Sequence, residues 1–229
     1  MQATIKIKIN NDLGQPMRFL MLLVAITATI SITGCESTYY NAMEKVGVHK
    51  RDILIDRIGE AKKAQKNAQQ QFKDALSEFR SVVSFEGGDL ESNYNRLHSE
   101  FEDSETAAQD LTSRVNKVES VADALFDEWQ DELKLYANDR LRSDSANKLQ
   151  ATKRQYSRLI TSMRRAGKSV DPVLNALRDN VLYLKHNLNA SAIGALKGEL
   201  VGIDRDVQQL LRAMEAAINE SDAFIMQLK

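Results

Sequence analysis

The sequence predicts an all-α protein, an elongated antiparallel helical bundle with coiled-coil packing. Three observations point there. Apolar residues recur at alternating steps of four and three through most of the chain. Only two prolines, Pro16 and Pro172, occur in 229 residues. No stretch alternates apolar and polar residues long enough to make a useful strand. A repeat of about 3.5 residues keeps one apolar stripe turned toward a neighbouring helix. Scarce proline lets such helices run long.

The first segment stands apart from that pattern. Residues Phe19 to Ile32 are apolar or small, and Arg18 precedes them. A basic residue, a short apolar run and small residues before a cleavage point make a secretory signal. The run is too short to span a bilayer comfortably. It ends in Ile32-Thr33-Gly34-Cys35, which resembles the lipobox of bacterial lipoproteins. The resemblance implies cleavage before Cys35 and a diacylglyceryl thioether on its sulfur. Each buried methylene adds about 0.8 kcal/mol, so several acyl chains make a lasting membrane anchor. Residues 1–34 are therefore expected to be a signal peptide, with Met17 as an alternative start. Residues 35–48 are expected to form the lipidated anchor and a short helix, and residues 49–229 the coiled-coil domain. Glu36 follows the cysteine. In such lipoproteins an aspartate there tends to mean retention in the inner membrane, so the outer membrane is favoured, with the domain facing the periplasm.

The mature chain divides into five seams. The first is Leu54, Ile58, Ala61, Gln65, Ala68, Phe72, Ala75, Phe79 and Val82. The second is Leu90, Tyr94, Leu97, Phe101, Ser104, Ala108, Leu111, Val115, Val118, Ala122, Leu125 and Trp129. The third is Ser145, Leu149, Thr152, Tyr156, Leu159, Met163 and Ala166, and the fourth Leu174, Leu177, Val181, Leu184 and Leu188. The last is Ile193, Leu196, Leu200, Ile203, Val207, Leu210, Met214, Ala217, Ser221, Phe224 and Leu228.

Breaks between the seams follow from capping chemistry. Asn41 and Glu44 have the spacing of a capping box, and Gly47 is expected to end a short helix after it. Gly87-Gly88-Asp89 reads as a turn followed by a cap. Gly167 to Pro172 reads as another, with Pro172 at the first helical position. Asn189 is expected to cap the last helix. These signals predict helices over about 49–86, 89–138, 142–188 (broken near 167–172) and 190–228. Between residues 138 and 144 the chain is polar but holds neither glycine nor proline. A helix running through residue 140 is the alternative there.

Several functions are disfavoured by composition. One cysteine rules out an internal disulfide and a thiolate zinc site. A net charge of -1 gives no pull toward nucleic acid, which is also an improbable partner for a secreted protein. His49, His98 and His186 lack the spacing of a bundle metal site. Gly167-Lys168-Ser169 lacks the earlier glycine and preceding strand of a phosphate loop. No serine sits in a nucleophile elbow. No enzyme activity, cofactor or metal is expected. Phe101 and Trp129 fall at seam positions, as core residues do.

Charge and small residues mark the remaining candidates. Residues 89–138 carry 13 acids and 4 bases, whereas residues 139–168 carry 9 bases and 2 acids. Pairing of neighbouring helices is one reading. A basic stripe of Arg154, Arg158, Arg164 and Arg165 that touches anionic lipid or an acidic partner is the other. Gly194, Gly198 and Gly202 stand four apart in the last helix. Each glycine costs up to about 1 kcal/mol against alanine. The spacing allows close approach of another helix, either within the bundle or from a partner or second copy. Lys197 and Glu199 argue against a membrane span there. Tyr39 and Tyr40 are expected at the membrane interface, with Lys45, Lys50 and Arg51 near headgroups.

Three stretches, Tyr39–Leu54, Ser157–Ala190 and Ile193–Leu200, carry a resemblance. They resemble a family of Gram-negative lipoproteins known only as a domain of unknown function. The resemblance spans nearly the whole mature chain and implies the cleavage site and helical fold. It implies no catalytic or binding residue. The expected role is that of a non-enzymatic envelope scaffold or interaction module, with a membrane-surface-binding bundle as the alternative. Its partner would be an unidentified envelope protein or a second copy.

Overall fold

A computed structural model describes residues 39–40, 43, 47–85, 87 and 89–229. The signal segment, Cys35, Asn41, Glu44 and Lys45 lie outside the described residues. From Lys50 onward, five α-helices follow one another among the described residues: α1 (Lys50–Val83), α2 (Leu90–Glu132), α3 (Asp139–Lys168), α4 (Val170–His186) and α5 (Ala190–Leu228). No strand occurs among the described residues. At 1.5 Å per residue, α1, α2 and α5 are about 50 to 65 Å long.

Cross-helix bonds fix the direction of each neighbour. Lys50 pairs with Glu128, Glu60 with Arg114, and Gln71 with Glu100, so α1 and α2 are antiparallel. Lys62 pairs with Asp222 and Arg80 with Asp204, so α5 runs antiparallel to α1. Arg164 reaches Glu119 and Arg178 reaches Glu105, which lays α3 and α4 end to end along α2. The result is a four-armed up-and-down bundle. Both α1 and α3 pack against α2 and α5 but not against each other, so they stand diagonally across it.

The seams become the core. All nine first-seam residues are buried, including Phe72 and Phe79 without measurable exposure. Burying each such side chain stabilises by about 1.5–3 kcal/mol. In α5 the seam is likewise buried from Ile193 to Leu228, with Leu200 half-buried. Ser104, Ser221 and Asn180 occupy core positions and bond back to the carbonyls of Glu100, Ala217 and Ala176, each at 2.7 Å. Gln65 is the exception. It is fully buried, and neither its Nε2 nor its Oε1 has a hydrogen-bond partner.

Caps explain the ends. Gly47 (φ 86°) and Gly87 (φ 146°) hold the left-handed turns for which glycine is suited. Asp89 accepts from Ser92 N at 3.2 Å, and Asn189 from Ala192 N at 3.1 Å, as the sequence predicts. Asn138 accepts from the backbone of Arg140 and Leu141. That cap starts α3 at Asp139, earlier than the expected 142. Helices α2 and α3 are therefore not one continuous helix. The chain tightens into a 3₁₀ turn at Leu133–Leu135 and extends at Tyr136.

The break between α3 and α4 also departs from expectation. Gly167 is helical, and the break falls at Ser169, which stays in the right-handed region (φ -76°, ψ -5°). Pro172 is not the first residue of α4 but lies in its first turn. Its ring and missing N–H exclude a bond to the carbonyl four residues back, that of Lys168, which is where α3 stops. Leu188 does not join the core either. Helix α4 ends at His186, and Leu188 is exposed in the following turn.

Candidate interaction surfaces

Charge pairing accounts for only part of the basic helix. Arg164 donates to Glu119 at 2.6 Å, and Lys153 reaches Gln130 and lies 5.6 Å from the Phe126 ring centre. Arg154, Arg158 and Arg165 are exposed, and their side chains form no ion pair or hydrogen bond among the described residues. At 100° per residue these three fall within about 40° of one another. Arg164 stands off their line, turned toward α2. The four predicted residues thus split into a register pair and an open basic ridge.

Across the same interface lies an acidic cluster. Burial first, then repulsion from Asp127 and Glu119, raises the Asp123 carboxyl above its ordinary range, and Arg164 opposes this. Beside it Tyr156 packs between Phe126 and Phe224, with ring centres 5.3 and 6.1 Å away. Burial, with Asp123 and Glu119 adding repulsion, drives its hydroxyl well above the usual phenol range. Tyr156 therefore stays a neutral phenol, half-buried against the core.

A second cluster ties α1 to α2. Glu60 accepts from Arg57 at 2.9 Å and from Arg114 at 3.0 Å, while Arg114 also holds Asp110 at 3.0 Å. The Arg57 hydrogen bond, followed by the two positive charges, holds the Glu60 carboxyl below its usual range against the opposing effect of burial.

Among the described residues, no helix of the bundle faces the glycines of α5. Gly194 and Gly198 are exposed and Gly202 half-buried. A Cβ added at any of the three would meet nothing within 4 Å. Close packing inside the bundle, one of the two expectations, is thus corrected. The seam residues Ile193, Leu196 and Ile203 point inward and carry the glycines to the outer side. Val201 is 78% exposed on the same stretch.

The residues expected near lipid sort differently from the sequence reading. Tyr40 is only 5% exposed, and its hydroxyl lies 3.1 Å from Ser120 Oγ on α2. Lys50 is buried and paired with Glu128 at 3.0 Å. Both therefore belong to the bundle, because apolar contact and a partner charge hold them there. Tyr39 and Arg51 remain exposed. Sequence periodicity could not reveal this, since Tyr40 precedes the first seam.

Chemistry-bearing groups do not converge elsewhere. Among the described residues no group of three His, Cys, Asp or Glu could hold a metal. His98 faces Glu102 at 3.8 Å on its own helix. Trp129 donates to Ser145 at 2.8 Å, and Phe101 is buried. No described helix is long and apolar enough to cross a membrane.

These features define an elongated helical bundle with a basic ridge and a bare glycine face. The chain belongs to the family described as Protein of unknown function (DUF2959), whose model matches residues 39–228. No curated protein matches it.

Proposed function

We propose that the chain is a non-enzymatic lipoprotein of the cell envelope, anchored through Cys35 and presenting its bundle in the periplasm as a scaffold or interaction module. The outer membrane is the favoured site, on the identity of Glu36. The observation that carries the reading is the docking of Tyr40 onto Ser120. Only five positions separate Tyr40 from Cys35. A lipid there is coupled closely to the bundle, as suits an anchored spacer. Intact mass of the membrane-extracted protein tests it. A thioether-linked lipid at Cys35, lost in Cys35→Ala, is expected; a free Cys35 or an uncleaved leader overturns it.

A second reading, a bundle that binds membrane surface through a basic helix, draws on the unpaired Arg154, Arg158 and Arg165. Photocrosslinkers placed in the cell at Arg158 and Gly198 separate the two. Reproducible capture of one envelope protein, or of a second copy, supports the scaffold. Capture of phospholipid at Arg158 supports the second reading. Capture of neither removes both surfaces from the argument.

A further inference from the structure

We infer that the turn joining α2 to α3 is a membrane-contacting tip, inserted in the headgroup region of the bilayer that holds the anchor. The inference rests on the lipid anchor at Cys35 proposed above and adds a second, non-covalent contact.

Three large apolar side chains are exposed at or beside this turn. Leu135 is 81% exposed, Leu141 50% and Tyr136 38%. A lone exposed leucine is ordinary. Three within seven positions at the end of a rod are not required by the turn, which Asn138 caps with its own side chain. Leucine beside tyrosine is the composition of an interfacial contact, where an apolar body sits low and a hydroxyl stays wet.

The path of the chain says which end of the rod meets the membrane. Five residues from Cys35 to Tyr40 span at most about 17 Å. Tyr40 is fixed at the level of Ser120. Along α2, Leu133 lies about 20 Å from that level, and Leu90 about 45 Å in the other direction. So the end bearing Leu135 is the nearer of the two to the anchor. The short tether makes the rod lean on that end.

The contact is apolar rather than electrostatic. Residues 131–148 hold Asp131, Glu132, Asp139 and Asp144 against Lys134, Arg140, Arg142 and Lys148, a balance of zero. Three of those bases are paired locally, with Asp131, Asp139 and Asp144. The open ridge of Arg154, Arg158 and Arg165 belongs to α3, diagonal to α1, and is a different surface. The occupant is therefore a bilayer surface irrespective of its charge.

Depth measurement on the full-length protein tests this. The chain is purified from envelope membranes with its lipid and reconstituted in phosphatidylcholine vesicles. A nitroxide is attached at Leu135→Cys or, near the far end of α5, at Val201→Cys. The label at position 135 is expected to be several-fold more accessible to oxygen than to a water-soluble nickel complex, and the label at 201 to show the reverse. Equal nickel access at both, in protein whose mass carries the lipid, overturns the tip and leaves the anchor standing. Protection that appears only with phosphatidylglycerol also overturns it, because the contact would then be ionic. A mass without lipid overturns anchor and tip together.

Discussion

Tyr40 Oη and Ser120 Oγ meet at 3.1 Å across 80 positions of sequence and fasten the segment ahead of α1 to the C-terminal third of α2. Most of the stabilisation there is the burial of the ring. Tyr40→Ala is expected to cost about 2–4 kcal/mol, in the range of large-to-small core changes. Tyr40→Phe keeps the ring and loses one hydrogen bond, so about 0.5–1.5 kcal/mol is expected. Urea unfolding of the two variants checks the ordering. Equal losses would show that the ring is not packed.

Gln65 sits in the seam with both amide atoms unpaired. A buried polar group without a partner costs about 1–3 kcal/mol, and an apolar group of similar size removes that cost. Gln65→Leu is therefore expected to raise the unfolding free energy by about that amount, and with it the urea midpoint. A fall would mean that the amide holds a buried water or fixes the register of the bundle.

The heptads made the fold legible, because burying a stripe every seven residues is nearly all that such a bundle requires of its sequence. Leu54 through Val82 are buried in unbroken register. What periodicity missed lies where a single residue decides. Asn138 stops the helix between α2 and α3 with one side-chain cap, and Pro172 sets the break at Ser169 instead of Gly167. The surfaces were half legible. Four arginines shared one compositional signal, yet only the angle around the helix separates Arg164, paired with Glu119, from the other three. The glycine spacing was visible, but which side of α5 the glycines occupy depended on packing.

Arg164 offsets the crowding of Glu119, Asp123 and Asp127. Arg164→Ala is expected to cost about 0.2–1 kcal/mol near pH 7, the discounted value for a partly exposed pair. The direction of its pH dependence follows from Asp123. A carboxyl whose folded pKa is raised binds its proton more tightly in the folded state, so it favours folding below its unfolded pKa. That contribution is lost as pH rises through the higher folded pKa. Removing Arg164 widens the shift. The penalty of Arg164→Ala is thus expected to be smaller near pH 4 than at pH 7, and unfolding at the two values measures it. A penalty independent of pH would remove the acidic cluster from the account.

The glycines of α5 give the last prediction, in which stability and association move apart. With no atom within 4 Å of an added Cβ, Gly194→Ala, Gly198→Ala and Gly202→Ala meet no obstacle. Each is expected to stabilise the helix by up to about 1 kcal/mol through lower unfolded-state entropy and better propensity. Thermal unfolding of the triple variant checks this. A leucine at Gly198 keeps the helix but fills the space through which a second helix would approach. Gly198→Leu is therefore expected to leave the melting temperature at or above that of the parent while abolishing any self-association seen by sedimentation or photocrosslinking from Val201. If association survives the leucine, the bare face is not where copies meet, and the glycines serve no contact of that kind.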